Sequence, residues 1–255
     1  MNIIRYVVSG VLALTLLSAC ETNKEAGVAD IELNFNADFG NDPLVMYANS
    51  YAYEDNMDFR LQLFQFYISN GFLINADGTT GPKVLDVALV NFGGVQSESE
   101  AEAGVSVVLK DIPAGNYKGI RLGIGVDPVL NQTQPGDYSV DHPLSTNYWL
   151  MSNSYVFAKI EGNADFDQAG TYASEVTLHM GGDNNYREKT FEVPFEVKGE
   201  NLKTLHFSVD VKKALVDGNG KFLNFATTPQ IHSDLSPWAV FIADNLQNAL
   251  QMEDL

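Results

Sequence analysis

Four side chains in this sequence are candidate ligands for a soft or borderline metal ion, and they lie far apart along the chain. They are His142, Met151, His179 and His232. Neutral imidazole nitrogen suits copper and other transition metals, and a thioether sulfur suits Cu(I). No two of the histidines have metal-ligand spacing within one element, so only the fold could assemble a metal site from them.

Each candidate also has a structural interpretation that the sequence leaves open. His142 precedes Pro143, which favours an extended turn residue, and His232 stands just before a predicted helix, where it could cap the first turn. Met151 follows Trp149 by two residues, and a methionine beside aromatic side chains commonly packs in a core. Three of the chain's four histidines nevertheless lie at loops or strand ends, where functional sites concentrate.

The sequence contains none of the common local signatures of catalysis. It has no Gly-x-Ser-x-Gly turn, no His-Glu-x-x-His pair and no complete EF-hand loop. Carboxylates are so numerous that no pair stands out as a general acid and base. We therefore predict a protein that binds its ligand and is not an enzyme.

Alternation of apolar and polar residues predicts that the scaffold around the candidate ligands is built of β-strands. The alternation is clear in Asp30–Phe35, Glu175–Met180 and Leu205–Val211, as expected of strands with one buried face. Thr190–Val197 alternates as well, but Pro194 cannot donate to a strand ladder, which predicts an edge strand.

Two stretches depart from simple alternation. The apolar side chains of Asp58–Ser69 change phase by one residue, which predicts a β-bulge. The two apolar sets are Phe59, Leu61 and Leu63, and then Phe64, Phe66 and Ile68. The acidic stretch Ser97–Ala103 predicts a solvated loop.

The last element carries the one strong helix signal. Ser236 can cap its N-terminus, Pro237 suits the first helical position, and apolar residues follow at helical spacing with Asn245 as the one polar member. Strands closed by a single helix predict an all-β fold. We expect a two-sheet antiparallel β-sandwich with one C-terminal α-helix, in a single domain over residues 30–255.

The N-terminal residues have the composition of a secretory signal. Arg5 is followed by an apolar run too short to cross a membrane, and the string LSAC, Leu17–Cys20, resembles a bacterial lipobox. In such lipoproteins the signal, here residues 1–19, is removed and the new N-terminal cysteine is acylated. We predict a lipid anchor at Cys20, the only cysteine, and a polar tether over residues 20–29. The predicted location is the bacterial cell envelope, facing the periplasm or the cell surface.

The charge balance is strongly acidic, with 33 Asp and Glu residues, 15 Lys and Arg residues and a net charge of −18. Such a field disfavours nucleic acid and anionic surfaces, and it attracts cations and basic proteins. The acidity therefore excludes a nucleic-acid-binding function and is compatible with a cationic ligand.

Several strings in this sequence resemble a known family when they are read together and in order. They are FQFYISN (Phe64–Asn70), LVNF (Leu89–Phe92), IPAGNYKGIRLGIGVDP (Ile112–Pro128), HPLSTNYWLMSNSYVFAKIEG (His142–Gly162), TLHMGG (Thr177–Gly182) and IHSDLSPWAVFIADNLQNAL (Ile231–Leu250). Over Ile31–Leu250 the chain resembles the MbnP-like family, which comprises copper-associated secreted proteins and lipoproteins related to MbnP and MopE.

The resemblance implies a β-sandwich that binds one copper ion through histidines and an oxidised tryptophan, kynurenine, which a di-haem partner protein helps to form. The family's histidine positions fall on His142, His179 and His232, and its tryptophan position falls on Trp149. The chain departs from the family pattern Met-Tyr-Trp-x-Trp, because Asn147 and Met151 replace its outer residues.

Two functions are consistent with these observations. The first is a lipid-anchored envelope protein that captures or delivers copper, with two or three of the histidines as ligands and Trp149 or Met151 nearby. Its partners would be the membrane, through Cys20, and a di-haem cytochrome-type protein. The alternative is a metal-free envelope lipoprotein that binds a glycan or a protein through the Tyr-rich loop Tyr47–Tyr53, because aromatic side chains make flat contact surfaces.

Overall fold

The computed structural model describes residues 27–199 and 201–254, which form fifteen β-strands and three α-helices. The strands are β1 (Val28–Phe39), β2 (Asp42–Pro43), β3 (Tyr51–Ala52), β4 (Asp58–Asn75), β5 (Thr80–Asn91), β6 (Val105–Pro113), β7 (Gly115–Ile124), β8 (Tyr148–Trp149), β9 (Ser154–Asp165), β10 (Ser174–Gly181), β11 (Arg187–Phe191), β12 (Phe195–Val197), β13 (Lys203–Asp210), β14 (Gln230–Ile231) and β15 (Leu250–Met252). The helices are α1 (Glu98–Ala103), α2 (Val211–Leu215) and α3 (Pro237–Ala249). Short 3-10 helices occupy Leu130–Gln132, Pro135–Asp137, Pro143–Ser145 and Asp183–Asn185.

The strands are arranged in two sheets. One has five strands in the order β15-β13-β1-β2, with β6 also paired with β1. The other has ten strands around the order β11-β7-β4-β9-β10-β14, with β12 beside β7, β3 and β5 beside β4, and β8 beside β9. The predicted all-β sandwich is confirmed. Its pairing is mixed and not wholly antiparallel, because β1 runs parallel to β13 and β10 runs parallel to β14. In both cases the chain returns to the sheet after a long excursion, which permits the same strand direction.

The main core lies between the two sheets. The ring of Phe35, on β1, meets the ring of Phe66, on β4, edge to face with 6.1 Å between centroids, and it stacks on Phe207 of β13 at 4.9 Å. All three side chains are fully buried. The inward faces of the two sheets therefore pack directly against each other, as the alternation in the sequence predicts.

Two local predictions for the strands agree with the structure. The pairing of β4 with β9 shifts between Leu61 and Leu63, which is where the sequence predicts a bulge. The predicted edge strand Thr190–Val197 is divided at Glu192–Pro194 into β11 and β12, and β11 forms one edge of the ten-stranded sheet. The proline therefore interrupts the strand as well as placing it at an edge.

The loop prediction for the acidic stretch is wrong, because residues 98–103 form α1. The Oγ of Ser97 accepts the backbone N–H of Glu100 and caps the helix. The Glu100 carboxylate in turn accepts the backbone N–H of Gln96. This reciprocal capping stabilises α1, although the acidic composition of the segment predicted only a solvated loop.

Helix α3 begins where the sequence predicts. Ser236 Oγ accepts the backbone N–H of Trp238, and Pro237 takes the first helical position. The buried face of the helix includes Ile242 and Leu246. The predicted C-terminal helix is therefore present, and β15 follows it directly and pairs with β13.

Within residues 27–199 and 201–254, no helix has the length and apolar character needed to span a membrane. The predicted signal, Cys20 and most of the predicted tether lie outside the described residues.

Asn245 is the polar residue on the apolar face of α3, and its Nδ2 is buried without a hydrogen-bond partner. It borders a cavity of about 490 Å³ that is also lined by the β1–β2 turn and the segment after α2. A buried donor without a partner costs about 1–3 kcal/mol. We expect Asn245→Leu to raise the free energy of unfolding, measured by urea denaturation, by about 1 kcal/mol.

The matched control for this substitution is Asn248→Leu, because Asn248 is exposed on the same helix. It should change the free energy of unfolding by less than about 0.5 kcal/mol. If both variants changed stability equally, the unpartnered amide would not be the cause.

Candidate metal centre

His179 and His232 are brought together by the pairing of neighbouring strands. β10 and β14 run in parallel, and their last matched residues are Leu178 and Ile231. His179 directly follows Leu178, and His232 directly follows Ile231. The two histidines therefore lie side by side. Leu178 and Ile231 are buried in the core, and the alternation of side chains along a strand therefore directs both histidines to the outer face of the ten-stranded sheet.

Trp149 joins the two histidines in a group of three rings. The imidazole centroids of His179 and His232 are 5.0 Å apart, with nearly perpendicular planes. The indole of Trp149 lies 6.1 Å from His179 and 5.9 Å from His232 by ring centroids. Trp149 belongs to β8, which pairs with the start of β9 through Ser154. Three segments of the chain thus contribute one ring each to the Trp149–His179–His232 group.

Glu161 is the polar neighbour of this group. Its Oε1 lies 2.7 Å from Nε2 of His179, whose side chain is only 15% exposed. Burial lowers the pKa of His179 below its ordinary value, and the hydrogen bond to Glu161 opposes this effect. Nearby Lys159 and His232 also lower the pKa of His179. The lowered pKa favours the neutral form of His179, which is the form of imidazole that binds metal ions.

A second, smaller core fastens the segment before β8 onto the same outer face. Its buried members are Tyr67, Val87, Val126, Leu144, Tyr155 and Phe157. Tyr67 Oη donates to the carbonyl of Pro143 at 2.7 Å, and Tyr155 Oη donates to the carbonyl of Leu144 at 3.0 Å. Tyr148 packs edge to face against Tyr155. These contacts fix the position of β8 and hence of the tryptophan that it carries.

The other two predicted ligands, His142 and Met151, have different surroundings. Nδ1 of His142 accepts the backbone N–H of Leu144 at 3.1 Å, and its ring stacks on Tyr138 with 4.1 Å between centroids. His142 therefore caps the short helix Pro143–Ser145, in agreement with its interpretation as a turn residue. Met151 is fully exposed in the turn between β8 and β9. Of the five predicted site residues, the structure brings together Trp149, His179 and His232.

The Tyr-rich segment does not form the aromatic surface expected for the alternative function. Tyr51 and Tyr53 are only 2% and 6% exposed. Tyr51 Oη accepts the backbone N–H of Val45, and Tyr53 Oη donates to the carbonyl of Leu223. Tyr47, at 53% exposure, is the one tyrosine of this segment at the surface. The expected surface of three rings is therefore wrong, because two of them are core residues that satisfy backbone groups.

The donor set of the Trp149–His179–His232 group suits a transition metal. In the part of the chain that the structure describes, no three His, Cys, Asp or Glu side chains gather in a way that could hold a metal ion. Nitrogen ligands lie about 2 Å from a bound metal ion, so two imidazoles whose centroids are 5.0 Å apart can reach the same ion. The residues present fit an ion that accepts two imidazole nitrogens and leaves its other positions to another ligand.

Three supporting residues were not singled out in the sequence, namely Glu161, Gly182 and Asn185. Asn185 Nδ2 donates to the carbonyl of Asp234 at 3.0 Å, just after His232. Gly182, at φ +80°, approaches Asp234 so closely that a Cβ there would lie 2.6 Å from the Asp234 Cβ. Gly182 directly follows β10, and its contact with the His232 segment depends on the fold.

Comparison with known proteins gives one family and one similar structure. The family model described as MbnP matches residues 28–233, a range that includes all three rings of the group. Among solved structures, MbnP from Methylosinus trichosporium is similar with a TM-score of 0.50 and 14% sequence identity, over 73% of this chain and 76% of that chain. This second likeness concerns the fold alone. No protein of curated function matches the sequence.

Gly182→Ala tests how the His232 segment is held. The added Cβ would clash with Asp234 and would also require alanine at a positive φ, so we expect the free energy of unfolding to fall by about 1–3 kcal/mol. The nuclear Overhauser contacts between the His179 and His232 rings should weaken at the same time.

Gly218→Ala is the matched control, because a Cβ at Gly218 would meet nothing within 4 Å. Retention of the contacts between the two rings in Gly182→Ala would show that Gly182 does not place His232.

Proposed function

This chain belongs to the MbnP family, and we propose that it is a copper-binding protein of the bacterial cell envelope that captures or delivers copper without chemical turnover. The observation that carries the proposal is the Trp149–His179–His232 group. It unites two histidines and the tryptophan that the sequence had marked, from three distant segments, on one outer face of the sandwich.

His179 and His232 are the proposed ligands. Neutral imidazole nitrogen binds copper well, and burial lowers the pKa of His179, which favours its neutral form. His142 is left out of the ligand set, because its Nδ1 already accepts a backbone N–H and its ring stacks on Tyr138. Met151 remains a candidate only for transient contact with Cu(I), since its side chain is free in the β8–β9 turn.

Trp149 has a different role in the proposal. An unmodified indole has an N–H donor and no free lone pair, so it borders the site without coordinating. An oxidised form, the kynurenine that the family resemblance implies, would add an amine nitrogen beside the two imidazoles. In either form the aromatic ring of residue 149 would be an apolar neighbour of the two imidazoles that would hold the ion.

The envelope location and the lipid anchor are proposals that rest on the sequence. The signal-like residues 1–19 and Cys20 in the LSAC string support them. The net charge of −18 supports a cationic cargo, because an acidic surface raises the local concentration of cations. The alternative of glycan or protein binding through Tyr47–Tyr53 has less support, since Tyr51 and Tyr53 are buried.

Copper titration of the purified mature protein tests the proposal. We expect one copper ion per chain, with binding lost or strongly weakened in His179→Ala and in His232→Ala. Each variant removes a proposed ligand, and loss of even an outer-shell partner typically costs about 10–100-fold in metal affinity.

His206→Ala and His142→Ala are the matched controls for this titration. His206 lies on β13 in the five-stranded sheet, and His142 is engaged as a helix cap. Both variants should retain the affinity of the unsubstituted protein. A folded protein that holds no stoichiometric copper in either oxidation state would refute the copper function.

Mass spectrometry of the same protein identifies the chemical form of Trp149. The chain contains two tryptophans, Trp149 and Trp238, so Trp238 is an internal control for adventitious oxidation. In protein isolated from its native cells we expect any kynurenine to be confined to Trp149. Equal oxidation of both tryptophans would indicate damage during preparation and would remove the proposed third donor.

A further inference from the structure

A single side chain holds the imidazole of His179. Among the described residues, Glu161 forms the hydrogen bond with this ring, at 2.7 Å between Oε1 and Nε2. An ionised carboxylate can only accept, so Nε2 must carry the proton. In a neutral imidazole the other nitrogen is then unprotonated. The contact therefore leaves Nδ1 as the one nitrogen of His179 with a lone pair for a metal ion.

The sheet itself sets this contact. Glu161 lies on β9 inside the ten-stranded sheet, where it pairs with Leu63 of β4 and Thr177 of β10. It is the diagonal neighbour of His179 on the outer face, and Lys159 is the residue directly opposite. Diagonal neighbours on one face of a sheet are within reach of long side chains. Because β9 is paired on both sides, the backbone that carries Glu161 is held in place beside the strand of His179.

His232 contrasts with His179 in this respect. It follows the two-residue strand β14 and is exposed, and within residues 27–199 and 201–254 its side chain takes part in no hydrogen bond. The two histidines are therefore unequal. The ring of His179 is held by a side-chain hydrogen bond before any ligand arrives, and the ring of His232 has no such partner among the described residues.

We propose that Glu161 is a positioning residue of the metal centre, which accepts the Nε2–H of His179 and thereby makes Nδ1 the coordinating nitrogen. The inference rests on the proposed copper function and adds to it the ligand atom and the residue that selects it. Carboxylate–histidine pairs of this kind fix the tautomer and orientation of a metal-binding imidazole and raise its basicity. His232, with no such partner, supplies the adaptable second ligand.

The first test uses the metal-free mature protein with ¹⁵N-labelled histidine. Long-range ¹H–¹⁵N spectra should show His179 as the Nε2–H tautomer, with Nδ1 unprotonated. Glu161→Gln should keep this tautomer, because the amide oxygen of Gln can accept the same hydrogen bond. Glu161→Leu should lose the preference, and a protonated Nδ1 or a mixed tautomer in the unsubstituted protein would overturn the proposal.

The second test adds Cu(I), which is diamagnetic and leaves the spectra readable. The Nδ1 resonance of His179 should shift on binding while its Nε2 stays protonated. Affinity should fall about 10–100-fold in Glu161→Leu and less than about tenfold in Glu161→Gln. Glu175→Leu is the matched control for charge, since Glu175 is exposed on β10 and faces the same side as His179 without contacting it. The affinity of the Glu175→Leu variant for Cu(I) should equal that of the unsubstituted protein.

The two tests separate the positioning role from the copper function. Equal losses in Glu161→Leu and Glu175→Leu would mean that negative charge alone matters, which overturns the positioning role. Equal losses in Glu161→Gln and Glu161→Leu would also overturn it. If no copper binds but the tautomer follows Glu161 as described, the copper function fails while the orientation of His179 by Glu161 stands.

Discussion

The burial of Leu178 and Ile231 side by side in the core determines where the polar rings of this protein lie. The two residues are matched in the parallel pair of β10 and β14, and each is almost fully enclosed. Because successive side chains of a strand point to opposite faces, hydrophobic burial of one residue places the next residue outside. The side-by-side placement of His179 and His232 on the outer face therefore follows from core packing.

Charge acts on the Trp149–His179–His232 group in two ways, through the net charge of the whole protein and through a carboxylate in direct contact. The net charge of −18 draws cations toward the protein as a whole, but screening at physiological ionic strength limits such an effect to about 8 Å from exposed charges. It cannot distinguish copper from calcium or magnesium. Discrimination has to come from the donor atoms, and two imidazole nitrogens favour transition metals over ions that prefer oxygen. Among the described residues, the carboxylate that is hydrogen-bonded to the group is that of Glu161, whose partner is His179.

The sequence was most informative where local patterns decide local structure. Alternation predicted the strands, the phase change in Asp58–Ser69 predicted the bulge at Leu61–Leu63, and Ser236 with Pro237 predicted the start of α3. It was least informative about register between distant segments. Nothing near His142 distinguishes a ligand from a helix cap, because the stacking on Tyr138 and the bond to Leu144 exist only in the folded loop. The parallel pairing of β14 with β10 and the contact of Glu161 with His179 are likewise long-range, so neither leaves a local pattern.

A site that captures or releases a metal ion must be shielded on one side and open to solvent on the other. On the outer face of this sandwich, a covered area and an exposed area meet at the group of three rings. The interior between the sheets is filled by closely packed rings such as those of Phe35 and Phe66. On the outer face, the small core around Tyr67 and Tyr155 holds the segment before β8 in place. The Trp149–His179–His232 group lies beside the segment that this small core covers. One side is therefore anchored to packed protein through His179, and the other opens to solvent at His232.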